Sequence, residues 1–73
     1  MTHQQLRIFS RQLTEEGQER LTLQDIQRVG HVSRRQAQWI LGQCAGQDAN
    51  TVATETLQIW ISRQLQQGYY API

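Results

Sequence analysis

Residues 23–41 read LQDIQRVGHVSRRQAQWIL, and the fold turns on how this stretch divides. Thr22 stands just before it, with Asp25 three residues on, a variant of the capping box that opens a helix. Leu23, Ile26 and Val29 recur at helical spacing, which predicts a short helix over 22–29. Gly30-His31-Val32 then makes a tight corner, in which Gly30 or His31 takes a left-handed backbone. Ser33 opens a second helix over 33–43, and Gln36 at its third position completes a Ser-x-x-Gln capping box. Ala37, Ile40, Leu41 and Cys44 follow at i, i+3, i+4 and i+7, one apolar stripe that must face a core.

Outward from this pair the pattern stays helical. Leu6, Phe9 and Leu13 share a face in a helix over 3–14, with Ile8 off that face. Glu15, Glu16 and Glu19 flank Gly17 and form an acidic corner, read as a solvated loop or as an edge that repels phosphates. Gly42, Gly46, Asp48 and Asn50 mark a loop after the second helix of the pair. The stretch 51–67 admits two readings. Leu57, Ile59 and Ile61 alternate with Gln58 and Trp60, as the wing strand of a winged helix does. Against that, Ala53, Leu57, Trp60, Ile61 and Leu65 lie at i, i+4, i+7, i+8 and i+12, no turn signal interrupts 62–67, and Gly68 is placed as a C-cap. The helical reading predicts an all-α fold of four helices in one small domain over 1–73, with 68–73 an extended tail. Its expected core is Leu6, Phe9, Leu13, Leu23, Ile26, Val29, Ala37, Ile40, Leu41, Leu57, Trp60, Ile61 and Leu65.

The succession of apolar residues three apart, a turn, Ser-Arg-Arg, a small residue and a paired aliphatic resembles a helix-turn-helix unit. The resemblance covers about a quarter of the chain. It departs from the family at His31, where Gly is usual, and at Gln27, where Ala is usual. It implies that the first residues of the second helix meet base edges, so that Arg34 and Arg35 contact guanine or phosphate and Gln38 contacts adenine.

Charge argues for restraint. Seven Arg and no Lys face six acids, for a net charge of +1. Residues 26–47 hold Arg28, Arg34 and Arg35 with no acid, a local +3 against −2 for the remainder. A DNA-binding domain draws much of its affinity from phosphate contacts, and few cations are available here. Trp39 lies away from the buried stripe, among Arg34, Arg35, Gln38 and Gln43. Trp and Arg there suit an anchor for a protein partner; otherwise the first helix or the Tyr69-Tyr70 tail folds over the ring. Val52 and Ile59 fall off the stripe of the last helix and, with Tyr69 and Tyr70, suggest a second apolar surface.

Other classes find no support. Cys44 lies on the apolar stripe and reads as an inert thiol. His3 and His31 form no motif with it, so neither a nucleophile–base pair nor a zinc site is expected, and no cofactor. No export signal or membrane span is expected, and one free thiol suits the cytoplasm.

Length, a single helix-turn-helix-like unit and the lack of an accessory domain together resemble small phage-encoded transcription regulators. That resemblance implies a protein that binds host RNA polymerase, inhibits initiation by displacing the sigma factor and suppresses termination. It carries no contact residues with it. Two functions are therefore expected: polymerase binding through Arg34, Arg35, Gln38, Trp39 and Gln43, or sequence-specific DNA binding by the same face.

Overall fold

The computed structural model describes residues 1–68. Gly68 caps the last helix as expected, and the rest of the predicted tail, 69–73 with Tyr69 and Tyr70, lies outside the described residues. Among the described residues four helices and two short strands follow in the order α1 (His3–Glu16), β1 (Arg20–Thr22), α2 (Leu23–Gly30), α3 (Arg34–Ala45), β2 (Thr51–Ala53) and α4 (Thr54–Gln67). The bulk of the molecule is thus helical, as the apolar stripes predict, with one small addition: a two-stranded antiparallel sheet.

Each helix starts and stops for a local reason. Thr2 accepts from the Gln5 amide while the Gln5 side chain accepts from the Thr2 amide, a full capping box for α1. Gly17, in the left-handed region at φ 65°, ends it two residues later than the pattern suggests. Thr22 and Asp25 form the same reciprocal pair for α2. At Ser33 the box is only half made: the hydroxyl accepts from the Gln36 amide, but no bond returns, and Gln36 Nε2 is buried without a partner.

The corner between α2 and α3 is taken by His31, not Gly30, at φ 52° and ψ 44°. The amides of His31 and Val32 both donate to the Gln27 carbonyl, closing the last turn of α2. Gly30 is needed for space instead. A Cβ there would stand 3.2–3.4 Å from three ring carbons of Phe9, which is itself buried.

The stretch 51–67 combines the two readings. Thr51–Ala53 is a strand rather than the first turn of a helix, and helix follows from Thr54. The strand does not fold back within 51–67 as a wing. It pairs with β1 in the register Arg20↔Ala53, Leu21↔Val52 and Thr22↔Thr51. The Arg20 guanidinium donates to Thr51 Oγ1 at 2.9 and 3.2 Å across that ladder. Strands this short are not stable alone; Leu21 and Val52, opposite one another and each 1% exposed, hold the ladder on the core. Ala53 gives α4 no side-chain cap. The orphan donors at that end go to the β1 side instead, the Thr54 amide to the Glu19 carbonyl and the Thr54 hydroxyl to the Gln18 carbonyl.

The core gathers Leu6, Phe9, Leu13, Ile26, Val29, Ala37, Ile40, Leu41, Leu57 and Ile61, as expected, and adds Met1, Leu21 and Val52. Leu23, Trp60 and Leu65 are only partly buried, packed against its margin. Val52 therefore leaves the proposed second surface: in a strand it points inward, whereas helical phasing points it outward. Ile59 does stay on the surface, 49% exposed, and Ile8 likewise. Gln58 clasps α4 to α1, its amide donating to the Ser10 carbonyl at 2.9 Å and to Thr14 Oγ1 at 3.2 Å. Among the described residues no helix is long and apolar enough to cross a membrane.

Candidate functional site

The site is the outer face of α3. Ala37, Ile40 and Leu41 turn inward, and this phases the remaining residues. Arg34, Arg35, Gln38 and Gln43 are all exposed, so four of the five residues singled out from sequence share solvent-facing positions on one helix.

Arg34 and Arg35 occupy the first turn of α3, with no acid in that turn. Backbone amides at a helix N-terminus carry partial positive charge, so two cations there are placed against the local field. Neither has an ion-pair or hydrogen-bond partner among the described residues. Within the described residues their charge is not spent.

Arg28 is different, and this corrects the sequence reading of a +3 patch. Its guanidinium donates bidentately to Glu16 at 2.6 and 2.9 Å and reaches Asp25 and Gln18 at 3.3 Å. The ion pair with Arg28 holds the Glu16 carboxyl below its usual range. Asp25 is also lowered, first by the bond it accepts from the Thr22 amide, then by the Thr22 hydroxyl and Arg28. The Arg28 guanidinium is held all the more firmly charged. Glu16 is thus neither a solvated loop residue nor a repulsive edge but the partner of Arg28, and the patch shrinks to two cations.

Trp39 does not stand clear of the protein. It is half-buried and meets Trp60 of α4 edge to face, with ring centroids 5.9 Å apart and planes at 69°. The Tyr69-Tyr70 alternative lies outside the described residues, and cover comes from α4, which the sequence reading does not name. Sequence phasing alone could not find it, because it depends on where α4 crosses α3. What Trp39 still exposes forms the rim of a shallow furrow with Gln38, Gly42, Gln43 and Gln47.

Cys44 is half-buried and its thiol is pushed up to about 11 by desolvation, which leaves it protonated at neutral pH. Among the described residues no group of three or more His, Cys, Asp or Glu is placed to hold a metal ion. The face offers cations, amides and part of an indole. No protein-family model matches this chain, and no curated protein or solved structure is detectably similar to it.

Proposed function

We propose that this protein is a small transcription regulator that binds host RNA polymerase in the bacterial cytoplasm, through the outer face of α3. There it inhibits initiation and suppresses termination. The observation that carries this reading is the internal neutralisation of Arg28 by Glu16 and Asp25. It leaves Arg34 and Arg35 beside a partly exposed Trp39: two cations and an aromatic are a usual core for a protein contact and few for a phosphate backbone.

The alternative is a sequence-specific DNA-binding repressor. The α2–α3 corner favours it, because the Ser33 cap sets Arg34, Arg35 and Gln38 at the start of α3, where a helix-turn-helix reads bases. Capture of RNA polymerase from a bacterial lysate at moderate salt decides between the two. Under the polymerase reading, folded Trp39→Ala protein loses on the order of 2 kcal/mol of binding, and the loss changes little with salt. Under the DNA reading the Arg34→Ala, Arg35→Ala pair dominates, and each lost phosphate contact flattens the salt slope by about one unit. Wild-type inhibition of transcription by folded Trp39→Ala protein rules out docking through this face.

A further inference from the structure

The outer surface of α3 is grooved rather than flat. One open groove of about 540 Å³ has Leu23 and Leu41 among its walls, Arg34 and Gln38 on one side, and the 47–50 loop on the other. The Trp39 furrow, about 310 Å³, lies on the far side of the helix crest. The two share Gln38, Gly42 and Gln47, so they meet at Gly42. A Cβ at Gly42 would have nothing within 4 Å. Its backbone is ordinary helix, outside the left-handed region where glycine is favoured. A helix interior is less stable with Gly than with Ala, and neither packing nor backbone requires Gly here. What its bare Cα does is keep the crest between the two grooves low.

We propose that an extended peptide segment of the polymerase crosses α3 over Gly42, running from the Leu23–Leu41 groove into the Trp39 furrow. The inference rests on the reading that this face binds polymerase. The chemistry of the walls selects the occupant. Gln38, Gln43, Gln47 and Asn50 each present an amide with donors and an acceptor, the match for the N–H and C=O groups of an extended main chain. Leu23 and Leu41 supply an apolar bed for one side chain. Arg34 on the groove wall has no partner among the described residues and is set against the helix field, so it takes an acidic side chain of the same segment, with Arg35 next to it in the same turn, while Asp48 on the loop side keeps that end from being a uniform anion site. A phosphate backbone would find one cation and one carboxylate lining the groove, with amides between them, which suits a peptide better.

Gly42 allows a test in which folding and binding move apart. Gly42→Ala and Gly42→Met have open space for the added atoms, so both proteins should melt at or above the wild-type temperature. Both should nevertheless capture less RNA polymerase, Gly42→Met by about tenfold, the scale of one lost central contact. Gln47→Ala, on the loop rather than the helix, should also weaken capture. Wild-type protein that captures polymerase while Gly42→Met captures it within about twofold overturns the crossing and leaves the polymerase reading standing. Wild-type protein that captures none overturns the polymerase reading, and the crossing with it. Loss of capture in Arg34→Ala, Arg35→Ala protein with no loss in Gly42→Met also overturns the crossing, since the face would then dock by charge alone.

Discussion

Gly30 and Gly42 sit in consecutive helices and in opposite surroundings. Gly30 closes α2 against the Phe9 ring, where an added methyl would press on atoms 3.2–3.4 Å away. Gly42 faces open space on α3. The first glycine is dictated by packing inside the molecule. The second answers to no internal demand, so its reason is sought in what the surface receives. The same contrast runs through the arginines. Arg28, near Gly30, spends its charge on Glu16 and Asp25, while Arg34 and Arg35 spend theirs on nothing within the described fold.

The largest effect should come from removing the ring that defines the first surrounding. Phe9→Ala deletes one of the largest fully buried side chains and should cost about 3–5 kcal/mol, measured by chemical denaturation. A cost near zero would mean that the ring has room around it and that Gly30 is not packed. In a domain of this size the loss could unfold much of the population.

Swapping each glycine for alanine sharpens the comparison. Gly30→Ala should lose about 1–2 kcal/mol net, overpacking against Phe9 outweighing the gain in helix propensity. Gly42→Ala should gain about 0.5–1 kcal/mol from propensity alone. At roughly 4–8 °C per kcal/mol for a domain this size, the melting temperatures should move apart in opposite directions. Adding Gly30→Ala to Phe9→Ala protein should remove most of its cost, a coupling that a double-mutant cycle reads directly. Two shifts of the same sign would dissolve the distinction between the sites.

The smallest effect concerns the exposed Arg28 network. Glu16 and Asp25 have folded-state values below their ordinary 4.5 and 3.8. A depressed carboxylate contributes stability that is present above its unfolded value and lost as pH falls through its folded value. The melting temperature should therefore be flat near neutrality and fall below about pH 4, with Glu16→Gln making the acid slope shallower. An unchanged acid profile in Glu16→Gln would mean that the ion pair with Arg28 contributes nothing to stability.

Much of the helical frame was legible because its signals are local. The stripe Leu6, Phe9, Leu13, the stripe Ala37, Ile40, Leu41 and the cap at Thr22 each lie within a few turns of chain, and each is where the pattern puts it. The exposed positions of Arg34, Arg35, Gln38 and Gln43 follow from the same phasing. Ser33-x-x-Gln36 looked like the stronger capping box and formed only half, since the Gln36 side chain is drawn into a buried position instead. Val52 is buried where helical phasing points it outward, and Leu21 joins the core with no pattern to announce it, for the opposite reason. Three-residue strands leave too short an alternation to detect, and their pairing spans about thirty residues of intervening chain.

By itself the sequence determined that the chain is helical, where most helices begin and end, and which side of α3 is apolar, because 3.6-residue periodicity and capping are settled by residues within reach of one another. Only the tertiary structure decided three other things. It placed β1 against β2, it set Trp60 on the edge of Trp39, and it brought Glu16 to Arg28, twelve residues on, so that a patch of three cations became two. Each depends on how two elements cross in space. Sequence periodicity fixes which face of an element is apolar, whereas the partner that face or edge meets is chosen by the packing of the whole chain.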